Sequence, residues 1–171
     1  MARLNQMFIL AQTPAQFATI ARLARDIWTA HYTPIIGAAQ VDYMLDKFQS
    51  AAAIAAQVQR EGYLYYLAEI EGEAIGYFAV QPRDSTLFLS KIYVHAAWRG
   101  QGWGRRMLDD VAQLAQQAGK PSITLTVNRQ NTGAIAAYGK LGFANTGPLQ
   151  TDIGSGFIMD DFCLVKALPQ Q

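Results

Sequence analysis

The sequence predicts a mixed α/β fold: one central, mostly antiparallel sheet with helices on both faces. Three observations predict it. Strand-like segments near the start, middle and end of the 171 residues are separated by helical apolar patterns. Residues 63–94 hold three strand-like runs in succession, as antiparallel neighbours do. A helical segment then links the third run to a clean alternation at 122–127, and such a connection joins parallel strands. We expect a single domain over residues 1–171.

Taken in order, "MFILA" (7–11) reads as a short strand. Thr13, Pro14 and Gln16 then form a capping box with proline at the first helical position. Phe17, Ile20, Leu23, Ala24, Ile27 and Trp28 recur at helical spacing, and Pro34 and Gly37 are expected to break that helix. A second helix carries Val41, Met44, Leu45 and Phe48. Ser50 can cap a third, which bears Ile54 and Val58 and ends near Gly62. "YLYYLAEI" and "AIGYFAV" read as strands joined by the turn "EGE". The loop "QPRDS" precedes a third strand at 86–94. Trp103, Met107, Leu108, Val111, Leu114, Ala115 and Ala118 share one helical face, which stops at Gly119 and Pro121. "SITLTV" (122–127) puts Ile123, Leu125 and Val127 on one side. A short helix follows at about 131–141, then two strands near 143–150 and 156–166.

Composition narrows the function. Apolar residues make up 51%, charged residues 16%, and the net charge is +1. The longest basic block is Arg105-Arg106, which argues against nucleic acid as a partner. A single cysteine, Cys163, excludes an internal disulfide and a cysteine-rich metal site. No metal site is expected. The apolar run before Gln12 is too short for a secretory core, and no run suits a membrane span. A cytoplasmic protein without a membrane partner is expected.

"WRGQGWGRRML" (98–108) sets three glycines between a strand end and a helix start. Glycine admits positive φ and leaves no Cβ to hold a ligand away. A helix N-terminus adds amide N–H groups with no internal partner and the positive end of the dipole. Together they make a main-chain cradle for phosphate, or else merely a tight turn. A Walker A loop needs G-x-x-x-x-G followed by Lys and Ser/Thr, and five residues after Gly100 stands Arg105. A dinucleotide fingerprint fails because Trp103 and Arg105 stand where its later glycine is required.

"RGQGWG" (99–104) has the form R/Q-x-x-G-x-G/A and resembles the acyl-CoA pyrophosphate loop of the GNAT (GCN5-related) N-acetyltransferase superfamily. "NRQNTGAIAAYGKLGF" (128–143), one strand downstream, resembles that superfamily's second motif, V-N-x-x-N-x-x-A-x-x-x-Y-x-x-x-G-F. "LSKIYV" resembles the strand along which the pantetheine arm lies. The likeness is strong over 87–143.

It implies the GNAT fold, acetyl-CoA (coenzyme A) as cofactor, and N-acetyl transfer by direct attack of an amine in a ternary complex. Amides of Arg99, Gly100, Gln101, Gly102, Trp103, Gly104 and Arg105 would hold the pyrophosphate, with Gly102 and Gly104 clearing its approach. Ile92, Tyr93 and Val94 would bond the pantetheine amides. Asn128, Asn131 and Ala134 join the cofactor contacts; Asn131 is also a natural helix cap. Tyr138, by itself a core aromatic, becomes the general acid for the departing thiolate and a cofactor contact. A phenol near pKa 10 is protonated at neutral pH and a thiol near 8.5 is a fair leaving group. Cys163 is expected to pack rather than react.

A protonated amine needs a base, for which Glu69 and His31 are the candidates. The resemblance draws the acceptor pocket from the first helices and late strands: Trp28, His31 and Tyr32 with Asp152, Asp160 or Asp161. Trp28, Tyr32 and Asp160 are taken as substrate-binding, which suits a small cationic amine or polyamine. On an alternating strand only one of Asp160 and Asp161 faces a given pocket. Protein N-termini or lysines are rival acceptors, and a non-catalytic acyl-CoA sensor is the rival from another class. The resemblance also allows a homodimer.

Overall fold

A computed structural model describes residues 6–169, with seven strands and five α-helices among them. The strands are β1 (Gln6–Leu10), β2 (Leu64–Ile70), β3 (Glu73–Pro82), β4 (Leu87–Val94), β5 (Ser122–Asn128), β6 (Ala144–Gly154) and β7 (Phe157–Ala167). The helices are α1 (Pro14–Ile36), α2 (Ala38–Gln49), α3 (Ala51–Arg60), α4 (Trp103–Gln117) and α5 (Thr132–Lys140). The strands run in the mixed order β1-β2-β3-β4-β5-β7-β6. Two compact units emerge: residues up to Gln81 with Lys91–Asp110, and Pro82–Ser90 with the chain from Val111 on.

In the first unit, α1 starts as its sequence dictates. Thr13 Oγ1 accepts from Gln16 N at 3.2 Å, and Gln16 Oε1 accepts from Thr13 N at 3.1 Å. Its buried face, including Phe17, Ile20 and Ile27, packs with Leu45 of α2, Ile54 of α3 and Tyr65, Leu67 and Tyr77 of the strands. Burying each large apolar side chain contributes roughly 1.5–3 kcal/mol. Pro34 does not break α1, contrary to expectation; the helix runs through it to Ile36. Proline sits in the last turn, so one N–H is lost, and Gly37 N closes the end by donating to Thr33 O at 2.9 Å. Gly37, at φ 87°, is the terminator. In α2 the apolar pattern is also overridden, because Gln49 is buried at 2% exposure while Phe48 is half-buried.

Gln49 is tolerated because its amide is fully used. Its Nε2 donates to Phe48 O (2.6 Å) and Tyr65 Oη (3.0 Å), and its Oε1 accepts from Tyr77 Oη (2.7 Å). Tyr65 Oη donates to Gln57 Oε1 at 2.5 Å. This network ties α2 and α3 to β2 and β3. Burial pushes both phenols up, Tyr77 well above the ordinary tyrosine value. The neighbouring Trp28 indole opposes that rise only in part.

In the second unit, β4 and β5 pair in parallel, Leu87–Leu89 against Ile123–Leu125, as the helical crossover requires. β5 buries Ile123, Leu125 and Val127 in strict alternation. β7 pairs antiparallel with β5 on one side and β6 on the other. The β6–β7 hairpin turns at Ser155 and Gly156, both at positive φ. β6 runs to Gly154, beyond the expected 150, although Ile153 is its one buried residue. Its pairing with β7 holds it, so apolar alternation carries little of its signal.

Candidate functional site

The glycine loop is a turn built for exposed amides. Gly100 and Gly102 take φ of 77° and 83°, where a side chain would be strained. Gly102 O accepts from Arg106 N at 3.1 Å, which makes it the cap of α4. The amides of Trp103, Gly104 and Arg105 therefore fall in the first turn, where no helical acceptor exists. A Cβ on Gly100, Gly102 or Gly104 would meet no atom within 4 Å, so the space beside the loop is open. Gly104 lies inside α4 and lacks positive φ; Gly100 and Gly102 bear the unusual backbone. Trp103, 6% exposed, anchors the helix start, and the Arg106 guanidinium lies 4.7 Å from its ring. Gln101 and Arg105 are exposed. Arg99 is tied down differently: its amide donates to Ala96 O (3.3 Å) and its Nε to Val94 O (3.1 Å). Its side chain thus pins the loop to the end of β4. Such donors at a helix N-terminus fit a diphosphate.

That end of β4 carries an aromatic cluster with α1. The Tyr93 ring lies 5.6 Å from Trp28, 5.6 Å from Tyr77 and 6.2 Å from Tyr32. The Tyr93 and Tyr32 hydroxyls are 3.0 Å apart. The His31 ring meets the edge of Tyr32 at 4.7 Å. Trp28, His31 and Tyr32 are therefore brought together, with Trp28 as a buried floor at 3% exposure. Sequence reasoning took Tyr93 for its main chain and missed its side chain as the centre of this cluster. Ile92 and Val94 flank it, half-buried. Glu69, half-buried, follows Ala68 where the register shifts: Ala68 faces Gly76 and Glu69 faces Ala74, which leaves Ile75 of β3 as the extra residue. Gly76 was also missed, although a glycine within a strand signals a close approach.

The second unit holds the other motif. Asn128 Oδ1 accepts from Gln130 N at 2.9 Å, and Asn131 N donates to Asn128 O at 2.9 Å. Asn131 occupies the cap position of α5, but its side chain makes no cap hydrogen bond. Ala134, Ile135 and Tyr138 are all half-buried on α5. The Tyr138 ring packs edge-on to Phe143 at 5.5 Å, and Phe143 N donates to Tyr138 O at 3.1 Å. Asp160 and Asp161 do face opposite ways. Asp161 is 5% exposed, whereas Asp160 is half-exposed and bridges Arg129 at 3.5 Å. Asp152 is exposed and accepts from Gly154 N at 2.8 Å.

A sequence profile of the acetyltransferase (GNAT) family matches residues 20–143. The chain belongs to the GNAT acetyltransferase family. Among curated GNAT relatives, N-acetyltransferase 8 of Mus musculus is 30% identical over 95 residues, 52% of this chain and 42% of that protein. A peptidyl-lysine N-acetyltransferase of Salmonella typhimurium is 34% identical over 64 residues, 37% and 41% of the two chains. The matches span half or less of these relatives' length. Among solved structures, the PaiA N-acetyltransferase of Thermoplasma acidophilum in complex with coenzyme A has a TM-score of 0.77 at 18% identity, covering 95% of this chain and 99% of its own. An acetyltransferase of Salmonella typhimurium with acetyl-CoA reaches 0.63 at 23%, covering 97% and 95%. At these identities the likeness shows the GNAT fold. Among the described residues, no helix is long and apolar enough to cross a membrane.

Proposed function

We propose that this chain transfers an acetyl group from acetyl-CoA to a primary amine. The observation that carries the reading is the loop at 100–105. It has two glycines at positive φ, a helix start whose first amides lack helical partners, and open space where side chains would stand. Those amides bind the diphosphate of the donor, aided by the helix dipole. Main-chain groups of Ile92, Tyr93 and Val94 hold the pantetheine amides, and one N–H there polarises the thioester carbonyl. The donor supplies a thioester whose carbonyl carbon takes the amine nitrogen and whose sulfur leaves as thiolate. Tyr138 holds the proton that the thiolate receives. Asn131, whose side chain is not spent on its helix, donates to the donor. Glu69 or His31 takes the proton of the ammonium, directly or through water.

The acceptor is a small cationic amine or polyamine. Tyr32, above Trp28, and the carboxylate of Asp160 are the groups that recognise it. A cytoplasmic location and a homodimer are part of the same proposal and agree with an acetyl-CoA donor.

The test is release of coenzyme A from acetyl-CoA across a panel of small amines, polyamines, and N-terminal and lysine peptides. Release should rise with the small amines. Stimulation by peptides alone would overturn the acceptor class. Tight acetyl-CoA binding with no stimulation by any amine would overturn catalysis in favour of a sensor.

A further inference from the structure

Gly76 stands inside β3, where glycine weakens a strand because it has no side chain to pack. Its backbone needs no glycine, since its φ is not positive. Space is the constraint. A Cβ there would overlap the Tyr93 carbonyl oxygen and lie 2.9 Å from Met107 Cε and 3.2 Å from Val94 Cα. β4 is the strand beside β3 in the sheet, and next to Gly76 β3 carries an extra residue, Ile75, that β2 leaves unpaired, so the main chain at the end of β4 occupies the place a side chain at 76 would need. The contact is fastened on both sides. His95 N donates to Ile75 O at 2.8 Å, and Arg99 Nε to Val94 O at 3.1 Å. A methionine tip can withdraw from a new side chain by itself; a backbone carbonyl held this way can yield only if its strand end shifts with it.

We propose that Gly76 is a positioning residue for the acyl-CoA donor: its missing side chain sets where the main chain of Tyr93 and Val94 lies. The inference rests on the reading that this strand end holds the pantetheine arm. A side chain at 76 pushes on the strand end that carries this carbonyl, which would misalign its hydrogen bonds to the pantetheine amides. The diphosphate amides at 100–105 are coupled to this strand end indirectly, through the Arg99 side chain and through Met107 of α4, so the pantetheine part of the donor should respond more than the diphosphate part.

The test compares two probes by calorimetry on the full chain and on Gly76→Ala. Acetyl-CoA carries the pantetheine arm; 3′-phospho-ADP carries the diphosphate without it. Gly76→Ala should weaken acetyl-CoA by about tenfold, roughly the worth of one hydrogen bond, and weaken 3′-phospho-ADP distinctly less. Ile54→Val, a core change in α3, should move neither. Equal affinity for acetyl-CoA in the folded variant overturns the proposal, and so does an equal loss for both probes. Failure of the unsubstituted chain to bind acetyl-CoA is a separate result that sinks the functional reading itself. Should Gly76→Ala not fold, titrating the unsubstituted chain with acetyl-CoA by amide NMR decides. The Gly76, Tyr93 and Val94 resonances should shift together; shifts confined to residues 100–105 overturn the assignment.

Discussion

The hydroxyl of Tyr138 sits at the end of a side chain whose ring is fixed by the edge of Phe143 and by its own short helix. That explains why the spacing Y-x-x-x-G-F matters physically: α5 ends at Lys140, Gly142 turns the chain at φ 97°, and Phe143 folds back against the tyrosine. Tyr138→Phe keeps the ring and removes the proton. Turnover should fall by about 100-fold or more, the usual worth of a general acid, while the acetyl-CoA dissociation constant hardly changes. Steady-state kinetics beside calorimetry separates the two, and an unaltered kcat would remove Tyr138 from the chemistry. Gly102 acts differently, because its whole contribution is backbone. Gly102→Val forces a β-branched residue to φ near 83° and puts methyls beside the open amides. The strain costs about 1–3 kcal/mol of stability. The expected loss is in affinity for acetyl-CoA, measured on protein still folded by circular dichroism; unchanged binding would show that the loop holds nothing.

At the scale of elements, the helix and strand order was legible because the apolar periods are clear in α1, α4 and β5. Thr13-Pro14-Ala15-Gln16 announced a cap that the structure contains in full. Two elements misled. Pro34 reads as a stop, yet proline in a last turn costs one hydrogen bond and the helix survives. Gln49 reads as a surface residue, yet three partners on three different segments make burial affordable. No local pattern encodes partners 16 and 28 residues away. Gln49→Leu would leave the Tyr77 hydroxyl without its acceptor inside the core. Unfolding free energy should drop by about 2–4 kcal/mol, read by denaturant titration. The same network sets a pH response. The folded pKa values of Tyr65 and Tyr77 are raised above the unfolded value near 10, so the stability they carry is complete below that value. It is lost as pH rises from about 10 towards the folded values, because the unfolded chain releases its protons first. Tyr77→Phe removes one such group. Its stability should fall less steeply between pH 10 and 11, by up to about 1.4 kcal/mol per pH unit. Parallel slopes would mean the phenol ionises as freely in the fold as out of it.

Across the whole molecule, the two motifs were readable because each is a backbone device with fixed residue demands. The loop needs glycine at 100 and 102, and the α5 start needs the segment after β5. The aromatic cluster around Tyr93 was not readable, since it joins α1 to β4 over 61 residues of sequence. Gly76 was visible as a glycine in a strand, but what fills its missing Cβ belongs to β4 and α4. Those long-range facts come from packing, and a single sequence states only which residues are able to pack. Donor binding offers a test of the assembled molecule that requires no acceptor. A ligand that binds the native chain and not the unfolded one stabilises by mass action, about 2.7 kcal/mol at 100 times its dissociation constant. For a chain of 171 residues this corresponds to a rise in Tm of roughly 5–10 °C. Acetyl-CoA should produce that rise in a thermal melt, and NAD and ATP at the same concentration should not. The rise should vanish in Gly102→Val and persist in Tyr138→Phe, because the first substitution spoils the cradle and the second removes only a proton. A melt that responds to NAD or ATP, or one that acetyl-CoA shifts equally with and without Gly102, would leave the loop at 100–105 without the ligand assigned to it.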